Sequence, residues 1–353
     1  MSEKRLVDVE NSNLYLFNLL FRHQVYLEGV KAGFNVFFRN MLNDLYGEFA
    51  KYVGQSQYDT LDEFSRVKLL QFIQRFKRAQ LTAFNRYTQE LIGLLQAFVA
   101  VDSDVTAAIY VAVNALPDVQ PMKEALPSIS QLGSDASNAA VWADAANAIV
   151  PATGMTIRQM LAAFTLASTS KVINRINMGF ANSESLRDVL TSIIGDSEAG
   201  YRDGLFATFS NQSDAITATV LQHVSSYTQS AFADSFYTQE QWVSIIDSKT
   251  TVICRERNGN IYPTDEGPYP PAHWYCRSKR VPLTNGDALH DIPDTFYEWA
   301  ADQPEAFLND ALGTVIAAKI LAGDSDVKDI SVNHSVIPLT LEEFGGKINS
   351  ITM

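Results

Sequence analysis

The chain is poor in cysteine: only Cys254 and Cys276 occur in 353 residues. Two thiols are too few for a disulfide scaffold, and that density suits a protein made in a reducing cytosol. Positive charge is also in deficit. Against 40 Asp and Glu stand 27 Lys and Arg, giving a formal net charge of −13 and a pI near 4.8. That sign excludes a protein that coats nucleic acid nonspecifically, because such binding is driven mainly by cationic side chains against phosphates. A local basic surface stays open. Residues Met1 to Asp8 have no apolar core of the kind a secretory leader needs, so none is expected. The longest apolar stretch, Val105 to Leu116, is interrupted by Thr106 and Asn114. A membrane helix needs ~20 largely apolar residues. The expectation is a protein soluble at synthesis, without a membrane partner.

What is present is globular. Hydrophobic residues make up 46% and charged residues 19%, well away from disordered composition. Single cores usually stop growing beyond ~250–300 residues, so this length suggests two or three units. The first segment, Asn13 to Val53, carries aromatic residues at helical spacing, such as Phe17–Phe21, Phe34–Phe37/Phe38 and Leu45–Phe49. Thr60-Leu-Asp-Glu63 fits a capping box and predicts a second helix running towards Phe98. One face of it bears Arg66, Lys68, Arg75, Lys77, Arg78 and Arg86, so residues 60–100 are locally basic. Such a stripe reads first as a solvated face. The sharper reading makes Arg75, Lys77 and Arg78 contacts to nucleic acid or to an acidic partner.

Residues 101–150 are Ala-rich, lack arginine and are punctuated by Pro117, Pro121 and Pro127. They predict a short helix, an irregular crossover and a helix around Asn138 to Ile149. Pro151 stops that pattern. Three helical pieces are then expected: Ile157 to Gly179, a piece after Ser183 ending before Gly195, and Ser213 to Phe236. The fold class predicted is mainly α, with long N-terminal helices and a small loop-rich α+β module near 242–285. The units expected are 1–150, 151–285 and an acidic tail, 286–353.

Chemistry-bearing residues concentrate in 242–283. Short β-type runs, Trp242 to Ile246 and Asn260 to Tyr262, flank Arg257-Asn-Gly259, a hairpin-turn signal. Pro268, Pro270 and Pro271 stiffen the approach to His273. Cys254, His273 and Cys276 are the donors that Zn²⁺ prefers, with Asp247 a conceivable fourth. The same residues also fit two buried thiols beside a hydrogen-bonded histidine, or a Cys254–Cys276 disulfide. No cofactor is expected beyond a structural Zn²⁺ at this triad. Arg277, Lys279 and Arg280 lie near Trp274 and Tyr275, a cationic and aromatic mixture suited to nucleic acid.

The series Trp242, Asp247, Thr250, Cys254-Arg255, Gly259, Pro270-Pro271, His273, Cys276-Arg277-Ser278 and Pro282 resembles the signature of the phage Mu protein F-like head morphogenesis family. That family shows a W…D-x-[RK]-T…C-R…D-G…P-P-x-H-x-x-C-R pattern. The resemblance covers about residues 155–285. Asn258 departs from it, standing where the family commonly has an acidic residue before the glycine. The resemblance implies a minor head protein of a tailed phage, associated with the portal during procapsid assembly, with the major capsid or other inner-head proteins and viral DNA as further partners. It would be found in the host cytoplasm during assembly and then in the head or neck of the virion. The motif residues read as a structural knot: Asp247 and Thr250 cap a turn, and Arg277 pairs with a carboxylate such as Asp247.

Other classes fit less well. An effector domain of the ADP-ribosyltransferase kind needs an arginine and an E-x-E pair in the remaining chain. Gly286 to Met353 holds no arginine, and Glu342 and Glu343 are adjacent. A Cys254/His273 hydrolase lacks a third group and an oxyanion feature. No enzymatic activity is expected. The alternative is a nucleic-acid-binding internal virion protein. Tail segment 286–353 carries 12 acidic and 3 basic residues. It is expected to form short helices around Thr295 to Trp299 and Ala306 to Leu321, then a β-prone end, and to dock on a partner.

Overall fold

The computed structural model describes residues 12–55, 60, 64–114, 134–196, 202–246, 249–283 and 296–324. The architecture is mainly helical with one small antiparallel sheet, as the sequence predicts. Six helices precede the sheet: α1 (Ser12–Gly54), α2 (Arg66–Asn114), α3 (Asp135–Asn147), α4 (Ile157–Ala181), α5 (Leu186–Ile194) and α6 (Leu205–Phe236). Strand β1 (Gln239–Val243), helix α7 (Val252–Arg257), strand β2 (Ile261–Pro263) and strand β3 (Lys279–Pro282) follow. Helices α8 (Phe296–Ala301), α9 (Glu305–Leu312) and α10 (Thr314–Leu321) end the described chain.

Several boundaries move from their expected places for local reasons. Helix α2 starts later than the Thr60 box: the Lys68 amide reaches the Ser65 hydroxyl at 3.4 Å. Thr60 instead bridges to Ser185 in extended pairing. The end expected near Phe98 is passed, because Asp102, Ser103 and Thr106 are buried rather than breaking the helix. Helix α5 is capped by the Ser185 side chain accepting from the Asp188 amide at 3.0 Å, while Ser183 takes φ 55°. Helix α6 begins at Leu205 rather than Ser213. Within α2 one 18-residue window, of mean hydropathy 1.5, is long and apolar enough to cross a membrane by length and composition. Of that window 44% is buried inside the protein.

The contacts divide the chain into two units, each discontinuous in sequence. Unit 1 holds residues 1–33, 95–156 and 218–353; unit 2 holds 34–94 and 157–217. This differs from the linear division at 150 and 285, because the boundaries fall inside α1, α2 and α6 and at the start of α4. The charge divides unevenly too. Unit 1 has 14 basic and 28 acidic residues, and unit 2 has 13 and 12. Within unit 1 the excess comes from 95–156, with 1 basic and 6 acidic residues, as well as from the tail, with 3 and 12.

In unit 2 the aromatic stripe is core. Phe49 lies 4.1 Å from Phe76 between ring centroids, and Phe38 packs on Tyr87 at 4.6 Å and Phe84 at 5.7 Å. Leu69, Phe72, Ile73, Phe76, Phe84, Tyr87 and Leu91 form the buried face of α2 at steps of three and four. Arg75 and Arg78 stand exposed on the other side, as expected, and Lys77 is half-buried. Removing one of these buried rings costs about 3–5 kcal/mol through lost burial and the cavity left behind.

In unit 1 the C-terminal helices dock on the start of α1. The Trp299 indole donates to Asn18 Oδ1 at 2.9 Å, and its ring sits 4.6 Å from Phe21. Arg22 donates twice to Gln303 Oε1, at 2.8 and 3.2 Å, and lies 4.8 Å over Phe307. Where the sequence predicts a tail docked on a partner, the described part of the tail is held by its own chain. Gly313, at φ +81°, separates α9 from α10 where the sequence predicts a single helix. The β-prone end around Ile330 to Ile337 lies outside the described residues.

Candidate metal centre

The sheet has strand order β2-β1-β3 with both pairings antiparallel. Gln241 faces Ile261 on one side and Val281 on the other. The first strand lies earlier than the expected run Trp242 to Ile246: Gln239 to Gln241 pair with β2, and not through an Asn-Gly hairpin. Helix α7 intervenes, and Asn258 with Gly259 terminates it and turns the chain into β2. Gly259, at φ +86°, holds a conformation that costs a side-chain-bearing residue strain. Its amide donates to the Trp242 carbonyl at 2.8 Å. Strand β1 ends at Val243 because the backbone beyond it is claimed by side chains. Ser244 donates its amide to Asn258 Oδ1 at 2.8 Å, and the Thr250 hydroxyl donates to the Ile245 carbonyl at 2.6 Å. Asn258 thus supplies the carboxylate-like acceptor that an acidic residue would give at that position.

Ser244 is the hub of this module, and sequence reasoning missed it. Its Oγ accepts from the Trp242 indole at 2.9 Å and donates to the Cys254 carbonyl at 2.8 Å. With its only proton used, it must accept from Ser278 Oγ at 3.0 Å. Gln222 on α6 then donates to the Ser278 carbonyl at 3.2 Å. No local pattern marks such a serine in advance.

Around the hub, Trp242, Cys254 and Cys276 are fully buried together, with Tyr262 and Ala272 packed against them. The thiols are free, 3.8 Å apart at sulfur, so the disulfide alternative is not formed here. His273 Nε2 lies 3.0 Å from Cys254 Sγ, and the three donor atoms lie within 4.8 Å of one another. His273 Nδ1 is 2.7 Å from the Trp274 carbonyl. A carbonyl only accepts, so Nδ1 carries the proton and the Nε2 lone pair faces the thiols. That backbone contact is how proteins orient a ligating imidazole. The Cys254 hydrogen bond lowers the Cys276 thiol well below its ordinary range, against burial, with His273 assisting. Cys254 is correspondingly raised by Cys276 and by burial. His273 is raised, first by its contact with Cys276. One thiolate beside an imidazole is a donor set ready for a soft or borderline cation. The triad can hold a metal ion.

Trp242, Thr250, Cys254, Gly259, Pro270, Pro271, His273, Cys276 and Arg277 thus fall in one module. The Pro270–Pro271 bond is cis. Asp247, the conceivable fourth ligand and expected partner of Arg277, lies outside the described residues. Among the described residues Arg277 acts on Glu28: burial opposes that carboxylate, yet Lys31, then Arg277 and Gln24, hold it below its usual range.

Lys279 and Arg280 are not nucleic-acid contacts in this structure, since both are 4% exposed. Strand β3 is covered on both faces, and each cation has an internal partner. Arg280 Nε is 2.9 Å from Glu240 Oε2; its Nη1 donates to the Glu266 carbonyl at 2.6 Å and its Nη2 to the Pro263 carbonyl. Its guanidinium lies 4.2 Å over Tyr269. Lys279 Nζ is 3.4 Å from His23 Nδ1, whose Nε2 is 2.6 Å from Asp102. Gln229 also reaches His23 Nδ1, at 3.0 Å. Burial pulls Lys279 down to about 7, with Asp102 opposing. This buried network joins residues of α1, α2, α6 and β3, positions too remote in sequence to suggest one another.

Comparison of the chain with protein-family models, with curated proteins and with solved structures found no match.

Proposed function

We propose that the chain is a structural minor head protein of a tailed bacteriophage, portal-associated and acting in head morphogenesis rather than catalysis. One observation carries the reading. The described residues that resemble the Mu F-like signature gather in a single knot whose hydrogen bonds are turned inward, through Ser244, Asn258 and Thr250. Cys276 and burial keep the proton on Cys254, and the anionic Cys276 is buried, a state suited to holding a cation rather than to attacking a substrate. Zn²⁺ is the ion that Cys254, His273 and Cys276 suit best, and it would staple α7 to the segment before β3. The test is localisation: cross-linking in assembling heads should join this chain to the portal, and a particle map should show it at the neck or inner head. Finding it elsewhere overturns the proposal.

A second reading, nucleic-acid binding inside the virion, is favoured by one groove. In unit 2, Arg75, Arg78 and Arg86 line an open groove of about 420 Å³, facing Asp44 and Glu48. Three arginines on one stripe offer phosphate contacts, and replacing each with alanine should lower the salt slope of DNA binding by about 1. An unchanged slope in the triple variant removes this reading.

A further inference from the structure

A second concave site lies in unit 1, lined by neither thiol although Ile253 and Ala272 adjoin them. It is a cleft of about 540 Å³ between the C-terminal half of α6, helix α7 and the segment 265–272. His223 stands in its wall, 0% exposed. His223 Nε2 is 3.0 Å from the Ala145 carbonyl, so that nitrogen carries the proton and Nδ1 is a bare acceptor. Nδ1 has no hydrogen-bond partner among the described residues. An unmade bond at a buried polar atom is uncommon and asks for a donor. The neighbouring Tyr227 ring is 4.9 Å away, and Tyr269 supplies a second aromatic surface.

The charges in the cleft point to what it accepts. Asp234 and Asp265 both line it; Asp234 has only a 3.4 Å contact from Ser230 Oγ, and Asp265 is exposed with no ion pair among the described residues. Arg257, the one lysine or arginine lining it among the described residues, lies over the Trp242 ring at 5.2 Å. Arg280, whose charge reaches Asp234, is committed to Glu240. Ile149 and Ile253 also line the cleft, exposed at 54% and 38%.

We infer that this cleft takes an arginine side chain presented by an apolar segment of a partner protein. A guanidinium is planar enough to lie on tyrosine, has five donors for carboxylates and an imidazole lone pair, and stays charged when partly desolvated. Lysine offers no planar face, and the two carboxylates repel nucleic acid. The flanking isoleucines cover the apolar neighbours that a free arginine would lack. The site uses none of the triad's side chains and stands whether or not the chain is a head protein.

The probes are the peptide acetyl-Ala-Leu-Arg-Leu-Ala-amide and its citrulline analogue, identical in shape but uncharged. Binding to the full chain is read by calorimetry and by the imidazole ¹⁵N shifts of His223. The arginine peptide should bind at least about tenfold more tightly than the citrulline peptide, and Asp265→Asn should weaken it about tenfold. Asp265 is exposed, so this variant tests charge without endangering the fold. Binding should move the His223 Nδ1 signal, and His223→Phe should weaken the arginine peptide while the two carboxylates still keep it ahead of citrulline. Equal affinity for citrulline, indifference to Asp265→Asn, a silent His223 signal, no binding of either peptide, or displacement of the peptide by a single-stranded oligonucleotide would each overturn the inference.

Discussion

Replacing Arg280 with alanine separates a structural cation from a binding one. The guanidinium is matched to a Glu240 carboxylate at 2.9 Å with both side chains nearly sealed from solvent. Breaking one side of such a pair costs about 3–5 kcal/mol, mostly because the other charge is left buried. Glu240 limits that penalty. Burial already raises it to about 8 despite Arg280, so at neutral pH it mostly holds a proton even with the arginine in place, and the variant is not left with a bare buried anion. Against that saving, the carbonyls of Glu266 and Pro263 lose their donor, and Tyr269 loses its cation. Each orphaned acceptor adds about 1–3 kcal/mol. The expected loss is about 4 kcal/mol, with Glu240→Gln costing nearer 1 kcal/mol because it keeps an acceptor and removes only the charge. Urea denaturation followed by tryptophan emission is the assay. All four tryptophans, Trp142, Trp242, Trp274 and Trp299, belong to unit 1, so the signal reports on that unit alone. An Arg280→Ala protein that unfolds at the parent's midpoint while losing DNA affinity would refute the argument and return Arg280 to the surface.

Other outcomes follow from the same geometry. Burial lowers His223 from 6.5 to about 4, so between those values the unfolded chain binds the extra proton; stability is full above pH 6.5 and falls by about 3 kcal/mol as the pH drops towards 4. His223→Phe should remove that share of the acid limb in urea titrations from pH 7 to 4, and an unchanged limb contradicts the neutral burial. Purified protein should carry zinc at one equivalent; chelation should lower the melting temperature, and Cys276→Ser should lose the metal, whereas unreacted thiols without zinc rule the ion out. Gly267→Ala should cost at least about 1 kcal/mol, since a Cβ there meets the Tyr262 ring at 2.6 Å and the backbone sits at φ +86°. Equal denaturation midpoints for the two proteins would show that the ring gives way freely.

Local signals read well where local physics decides. The buried stripe of α2 and the convergence of Cys254, His273 and Cys276 are legible in residue type and spacing. Ser65 and Thr60 both look like helix caps, and only the pairing of Thr60 with Ser185 separates them. Lys279 and Arg280 mislead for a different reason. A basic run beside Trp274 and Tyr275 has the composition of a nucleic-acid surface, and what hides it is supplied from distant elements: Asp102 and His23 from helices α2 and α1, Glu240 from the adjoining strand. The discontinuous units are equally out of reach, because a helix that serves two cores carries no composition shift at the point where it changes from one to the other.

That interleaving bears on the order in which the chain folds. Unit 2 is made of two segments, 34–94 and 157–217, of 61 residues each, and both ends of each continue into unit 1. To unit 1 they are two loops that must be closed. A flexible loop of that length costs roughly 4 kcal/mol of chain entropy to close, so a collapsed unit 2 removes part of that cost before unit 1 condenses. A cut or a proline placed inside either segment would therefore be felt in unit 1 as well as in the unit that contains it.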